Sequence, residues 1–176
     1  LLILLLLLPV FAEGRAAAPS GPAVSFGPSI RFASSQSELD TGPLLAEANF
    51  AHQRDLWIRV LVSRMPPTTL LGLTFITPDG QPFYETNRYF SRLPQVASTI
   101  LPGGQRPDVV YRARKLPGGY ALDLPVAIAG SVFLRYPAPG TWTVQAKVGD
   151  SERISRTLEV SVNPQEGAIP SKESER

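Results

Sequence analysis

Hydrophobic and polar residues alternate with a period of two along most of the chain, most clearly over residues 141–148. One parity of this stretch is apolar and the other is polar: Trp142, Val144, Ala146 and Val148 against Thr141, Thr143, Gln145 and Lys147. Successive side chains of a β-strand point to opposite faces, so the stretch predicts a half-buried strand. Residues 131–136 alternate as well, and the Pro and Gly residues at 137–140 predict a turn. Together these features predict a hairpin over 131–148.

The same alternation predicts strands in several other places. They lie around Ile30 and Phe32 and at 56–62, 70–77, 81–90, 96–101, 109–115, 120–128 and 154–162. The stretch 44–55 permits a short helix, but its alternation favours a strand. Both parities of 56–62 carry large apolar side chains, so this strand is expected inside a sheet with its second face partly covered. Pro125 has no N–H to donate, which predicts an edge position or a bulge.

These eight or nine short strands are separated by Pro and Gly turns, and no convincing amphipathic helix accompanies them. Such a pattern predicts an all-β protein with two antiparallel sheets packed face to face. One turn has a clear chemical basis at Pro78, Asp79 and Gly80, where proline fixes φ and glycine is free to take a positive φ.

The C-terminal half carries a resemblance to a known kind of domain. The residues PGTWTVQAKVGDSERISRTLEVSV, at 139–162, resemble the last two strands of bacterial extracellular immunoglobulin-like or PKD-type modules. In those modules a glycine precedes an aromatic-x-Val strand, a polar turn and a closing strand. The resemblance implies an immunoglobulin-like β-sandwich of about seven to nine strands. Because sandwiches carry many functions, it implies no particular activity.

The N-terminal composition predicts export. Residues 1–8 are all apolar, Pro9 follows, and small residues provide A-x-A-like cleavage points after Ala12 and Ala18. This pattern is typical of a secretory signal peptide, and the run is shorter than the roughly 20 residues of a membrane span. The chain starts without methionine or a basic segment, so an upstream start and an uncleaved membrane anchor stay open. The predicted organisation is a signal peptide at 1–18, a flexible linker at 19–28, a β-sandwich domain at 29–163 and a disordered tail at 164–176. The predicted location is periplasmic or extracellular.

Composition excludes several kinds of chemistry. The chain has no cysteine and one histidine, His52, so thiolate ligands and clusters of several histidines are excluded. No serine lies in a nucleophile elbow, and calcium-loop, phosphate-loop and dinucleotide motifs are absent from the sequence. The carboxylates are dispersed, which leaves only a hydrolase with distant acids as an enzymatic alternative. We therefore expect no enzyme activity, no cofactor and no metal, and we interpret His52 as a surface group.

The distribution of charge is the main indication of a binding site. The net charge is +2, but residues 54–115 contain nine basic and four acidic residues. Aromatic and hydrogen-bonding residues are interleaved over 83–92, a composition that suits stacking on a sugar ring. The candidate ligand-binding residues are Tyr84, Arg88, Arg92, Arg112 and Arg114. Tyr84 and Arg88 share strand parity whereas Tyr89 has the opposite one, so a single flat site requires a bulge to use all three.

Two binding functions remain open from the sequence. The first is an exported interaction or structural module of the bacterial cell envelope that binds another protein through a sheet edge or loops. The second is a module that binds a carbohydrate or an anionic polymer, with polysaccharide as its partner. Nucleic acid is not expected as a partner of an exported chain with modest net charge. Membrane association is expected only if the N-terminal segment stays uncleaved.

Overall fold

The computed structural model describes residues 28–93, 109–136, 138–151 and 153–162, which form an all-β protein. Their elements are β1 (Ser29–Ala33), α1 (Glu38–Thr41), β2 (Glu47–Asn49), β3 (Asp55–Val62), β4 (Thr68–Ile76), β5 (Pro82–Ser91), β6 (Val110–Arg112), β7 (Arg114–Leu116), β8 (Gly119–Ala127), α2 (Val132–Arg135), β9 (Gly140–Val148) and β10 (Ile154–Ser161). The predicted signal peptide, nearly all of the linker, the strand expected at 96–101 and the tail lie outside the described residues. Within the described ranges, no helix combines the length and hydrophobicity that crossing a membrane requires.

The strands form two sheets. Sheet A has the order β1-β3-β8-β7, and sheet B has the order β2-β10-β9-β4-β5-β6. Strand β3 is therefore an interior strand, as its two apolar faces predict. Sheet B is mixed rather than purely antiparallel, because β2 pairs with β10 and β5 pairs with β6 in parallel. A parallel neighbour requires the chain to return to the same end of the sheet, and β5 and β6 are far enough apart in sequence for such a crossover.

A single hydrophobic core lies between the sheets. Sheet A contributes one parity of β3 and β8, including Ile58, Val60 and Leu122, and sheet B contributes one parity of β4 and β9. The buried residues of β9 are Trp142, Val144 and Ala146, as the alternation predicts. The described residues thus form ten strands, against the seven to nine expected, and three-residue strands account for the excess.

The hairpin predicted over 131–148 is wrong in its first arm. Residues 132–135 form the short helix α2, and β9 pairs with β10 and β4 instead. Ser131 begins this helix, because its Oγ accepts a hydrogen bond from the Phe133 N–H at 3.3 Å and donates one to the Ile128 carbonyl at 2.7 Å. The apolar residues of this stretch therefore belong to one helical turn, which buries Phe133 in the core.

Pro125 lies in the locally open part of β8. It faces Trp57 of β3, whereas β7 pairs with β8 only at residues 119–121. The edge position or bulge predicted for this arm is wrong for β8 as a whole, because β8 lies between β3 and β7 and pairs with β3 without a register shift. Only the stretch around Pro125 has no described strand on its other side, since the pairing with β7 ends at residue 121.

Candidate functional site

The candidate site forms where the chain passes from sheet B to sheet A. Strand β6 belongs to sheet B and β7 to sheet A, and only Ala113 separates them. Ala113 is buried, and its N–H donates to the Ser91 carbonyl at 2.8 Å, which fixes the crossing point. A cleft of about 590 Å³ opens here. We call it the basic cleft, and its aromatic and cationic lining residues are Trp57, Arg92, Tyr111, Arg112, Arg114, Lys115 and Tyr120.

A buried ion-pair network lies at one side of the basic cleft. The Arg59 side chain is 4 % exposed, and its Nε and Nη2 donate to the two oxygens of Asp123 at 2.6 and 2.8 Å. Its Nη1 donates to the Leu39 carbonyl at 2.6 Å and lies 2.8 Å from Asp40 Oδ1. Arg114 forms a two-fold contact with Asp40 and lies 3.8 Å from Asp123. Two arginines are thereby neutralised by two aspartates.

The electrostatics of this network follow from its hydrogen bonds. The Arg114 guanidinium, helped by Arg59, lowers the pKa of Asp40 below its ordinary value of 3.8. Burial acts to lower the pKa of Arg59, but its hydrogen bonds and charge contacts with Asp123 and Asp40 outweigh burial and raise it. Asp40 and Arg59 are therefore both charged at neutral pH. The network ties α1 and β7 to the outer face of sheet A and adds no net charge.

The other three cations of the basic cleft have no carboxylate partner within the described ranges. Arg92 Nη1 lies 3.4 Å from the Tyr120 hydroxyl, and Lys115 Nζ lies 4.4 Å from the centre of the Tyr120 ring. The hydrogen bond from Arg92 and the charge of Lys115 lower the pKa of Tyr120. Arg112 is exposed on the edge strand β6. The open part of the cleft is therefore positive.

The structure brings together three of the five candidate residues. Arg92, Arg112 and Arg114 line the basic cleft, whereas Tyr84 and Arg88 are not among its lining residues. Arg88 is exposed on β5, and its Nη1 donates to the Asn87 carbonyl at 2.9 Å. It has the strand parity of the buried residues, since it pairs with Leu71. Arg88 and the cleft arginines thus belong to different surfaces.

Tyr84 belongs to a group of packed rings. We call this group the aromatic cluster, and its members are Phe50, Phe75, Phe83, Tyr84, Phe133 and Trp142. The Tyr84 ring centre lies 5.8 Å from that of Phe75 and 5.2 Å from that of Phe133. Pairing between β4 and β5 shifts at Phe75, which leaves Phe83 as an extra residue on β5. A bulge is thus present, but it directs Phe83 and Tyr84 together onto Phe133.

Four of the seven aromatic and cationic lining residues were not among the candidates from the sequence. Trp57, Tyr111, Lys115 and Tyr120 lie on four different strands of two sheets. The alternation over 56–62 did place Trp57 on the second face of its strand. Nothing in the local pattern shows that this face meets the β6–β7 crossing, because strand order depends on pairing between distant residues. The excess of basic residues in 54–115 and the interleaved aromatic and polar residues of 83–92 were the two indications of a site in this part of the chain.

A larger groove of about 850 Å³ lies elsewhere in the fold. Its walls come from the end of β3, the start of β4 and the β9–β10 turn, and they are mainly apolar, with Val62, Leu70 and Ile154 among them. Its charged residues include both signs, Arg153 and Asp150 for example, so its charge selects no class of ligand. The basic cleft has the more specific chemistry.

The described residues contain no group of three or more potential metal ligands. His52 is exposed in the loop between β2 and β3, which confirms its interpretation as a surface group. The fold and the cleft therefore define an all-β protein of two packed sheets with an open, positively charged, aromatic-walled site. No protein-family model matches the chain, and no curated protein matches it in sequence.

Proposed function

We propose that the chain is an exported, non-enzymatic binding module of the bacterial cell envelope, and that its basic cleft binds an acidic polysaccharide. The observation that carries this proposal is the group of three cations, Arg92, Arg112 and Lys115, which have no carboxylate partner in the described part of the chain. They line one cleft with three aromatic side chains. The ligand supplies the missing negative charge.

The chemistry of the cleft suits sugars that carry an acid group. A guanidinium offers paired N–H donors that match the two oxygens of a carboxylate or sulfate. Tyrosine and tryptophan combine an apolar ring face with a polar edge, so they stack on a sugar ring and still bond its hydroxyls. Arg59 and Arg114 are already neutralised by Asp123 and Asp40, and they position the wall without needing the ligand.

Main-chain pairing with a protein partner has less support. Three of the four edge strands, β2, β6 and β7, are only three residues long, and the open part of β8 contains Pro125. The fourth, β1, has five residues, and its Ile30 and Phe32 carbonyls already accept hydrogen bonds from Arg156 and from the Leu45 N–H. Short edges and prolines both discourage the addition of another strand. No described feature of the loops favours a protein partner over a polysaccharide.

We further propose that the two packed sheets form an immunoglobulin-like sandwich of the PKD type. The features that support this are the Gly140–Trp142 start of β9, the glycine turn after β9 and the closing strand β10. In this view the β6–β7 crossing is the feature that adapts a common scaffold to ligand binding.

Binding of the purified protein to alginate, a polymer of uronic acids, tests the proposal, with neutral dextran as the comparison. We expect alginate binding that weakens steeply as salt rises, because ligand and cleft charges are screened. The double variant Arg92→Ala/Arg112→Ala should lower alginate affinity at low salt by about tenfold or more, since hydrogen bonds to charged groups contribute about 1.5–3 kcal/mol each.

The matched control removes the same charge outside the cleft. Arg54 and Arg88 are both exposed and neither lines the cleft, so the variant Arg54→Ala/Arg88→Ala should retain nearly all of the alginate affinity. Equal losses of alginate affinity in the two double variants would show that net charge alone causes binding, and would contradict a specific site in the cleft. Absence of any alginate binding by the wild-type protein would also contradict the proposal.

A further inference from the structure

The outer face of sheet B carries a second group of polar side chains. Gly72 of β4 lies opposite Asn87 of β5 on one side and Lys147 of β9 on the other. One step further, Thr74 lies opposite Glu85 and Gln145. Residues that face each other across a ladder point to the same side of the sheet. All of these residues are exposed or half-buried, and the alternate residues of β4 fill the core, so this group faces outward.

The missing side chain of Gly72 leaves a small hollow in this face, which we call the Gly72 notch. A Cβ atom at residue 72 would lie 2.9 Å from Asn87 Oδ1, so any larger residue would intrude on the Asn87 amide. The hollow has a volume of about 160 Å³, and Asn87, Gln145, Lys147, Glu85 and Arg153 contribute to its walls.

The donors and acceptors of the notch suit hydroxyl groups. Each amide offers both a donor and an acceptor, Glu85 offers acceptors, and Lys147 and Arg153 offer donors. A hydroxyl group both donates and accepts, so neighbouring hydroxyls of a sugar satisfy this mixed set. Glu85, which also accepts a 3.5 Å hydrogen bond from Thr74, offsets one of the two cations, so charge contributes little to selection here. The notch therefore selects hydroxyl groups by its donors and acceptors rather than a ligand by its charge, and an uncharged sugar unit fits it.

Strand β5 connects the notch to the basic cleft. Tyr89 is two residues beyond Asn87 and so has the same outward parity, and its half-buried ring also borders the apolar groove. Ser91, two residues further on, is buried, but its register partner Arg112 is exposed and lines the cleft. At a rise of about 3.3 Å per residue, Asn87 and Ser91 are about 13 Å apart along the strand. A chain molecule a few sugar units long covers this distance, with an aromatic ring midway.

We infer that the Gly72 notch and Tyr89 form a subsite for an uncharged sugar, in line with the basic cleft, and that the ligand is a linear polysaccharide containing both neutral and acidic units. The inference rests on the proposed function, since the acidic units occupy the cleft. The cleft supplies salt-sensitive attraction for the acidic units, and the notch supplies hydrogen bonds that select the neutral unit.

The test compares two acidic polymers that differ in their neutral units. Hyaluronan alternates a uronic acid with an uncharged amino sugar derivative, whereas every unit of alginate is acidic. The variant Asn87→Ala/Gln145→Ala should weaken hyaluronan binding by roughly tenfold, the size expected for two lost hydrogen bonds, and leave its salt dependence unchanged. The same variant should bind alginate as the wild-type protein does.

A matched control and a second variant keep the outcome clear. Thr143→Ala/Thr157→Ala removes two polar groups from a neighbouring register pair of the same outer face and should change neither affinity. Gly72→Ala places a methyl group in the notch instead of removing polar groups from it, and it should also weaken hyaluronan binding. The Asn87 side chain is flexible and can move away from the new Cβ atom, so the variant should still fold. If both notch variants bind hyaluronan like the wild-type protein, the inference is overturned while the cleft proposal stands. If the wild-type protein binds neither polymer, both fail.

Discussion

The aromatic cluster and the basic cleft draw on the same strand, β5, but they use aromatic rings in opposite ways. Near the start of β5, Phe83 and Tyr84 turn inward and contact Phe133 edge-on or tilted. Just past its end, Arg92 reaches Tyr120 in an open cleft. The first group excludes water and stabilises the fold, whereas the second keeps rings and cations accessible. Composition alone does not distinguish the two groups of rings, because aromatic and polar residues are interleaved throughout 83–92.

Truncation of the side chain at the centre of the aromatic cluster tests whether the cluster stabilises the fold without contributing to binding. Phe133 is 1 % exposed and contacts five other rings of the cluster. Phe133→Ala should lower the free energy of unfolding by about 3–5 kcal/mol, since it loses apolar burial and leaves a cavity. Denaturant unfolding measures this loss. The fraction that stays folded should bind alginate normally, and a specific loss of affinity would contradict the separation of the two regions.

Breaking the ion-pair network should have an effect of similar size on the cleft side. Asp123 is the two-fold partner of the buried Arg59, so Asp123→Ala leaves Arg59 and Arg114 to share one carboxylate, Asp40, with one positive charge in excess in the wall. We expect a loss of about 3–5 kcal/mol in unfolding free energy. The double variant Arg59→Met/Asp123→Leu should recover much of it, because replacing both charges by apolar groups removes the uncompensated one. Equal instability of the single and double variants would contradict this account.

A smaller effect is expected for Tyr84, the candidate binding residue that lies in the aromatic cluster. Tyr84→Leu keeps an apolar side chain but loses the ring contacts with Phe75 and Phe133. We expect about 0.5–1.5 kcal/mol less stability and unchanged polysaccharide affinity. Thermal unfolding and a binding titration on the same sample separate the two quantities. A loss of polysaccharide affinity without a loss of stability would show that Tyr84 contributes to binding after all.

The smallest effect concerns acid pH. Because Arg114 lowers the pKa of Asp40 in the folded protein, the ionised carboxylate stabilises the fold above its unfolded value of 3.8. This contribution disappears as pH falls below 3.8 and through the lower folded value. Wild type should therefore exceed Asp40→Asn in unfolding free energy by at most about 1 kcal/mol near neutral pH, since the pair is partly exposed. The gap should close in acid, and a constant gap would contradict the electrostatic origin.

The sequence predicted most strands because a half-buried strand imposes a two-residue period that each segment shows by itself. Strands β4 and β9 illustrate this with their alternating burial, whereas the edge position that Pro125 predicted for β8 is wrong because strand order is set by distant residues. Helix α2 escaped prediction because residues 132–136 place apolar groups at spacings that suit either one helical turn or a strand. The choice depends on Ser131 and on the space that Phe133 fills between distant strands.

The candidate site was predicted only in part for a related reason. Arg92, Arg112 and Arg114 were found through the local excess of basic residues, but the sequence contains no signal that Asp40 and Asp123 neutralise Arg114 and Arg59. Nor does it show that Trp57 and Tyr120 face the same cleft. These features depend on which strands become neighbours and on the crossing at Ala113. No short segment of sequence predicts such relations between distant residues.

The most direct measurement is a backbone amide chemical-shift titration of the protein with a short alginate oligosaccharide at low salt. If the basic cleft is the binding site, the largest shifts cluster at Arg92, Arg112, Lys115 and Tyr120 and shrink as salt is added. Amides near Tyr84 and Phe133 should stay unchanged. Shifts concentrated in the apolar groove around Leu70 and Ile154, or no shifts at saturating ligand, would show that the basic cleft does not bind alginate.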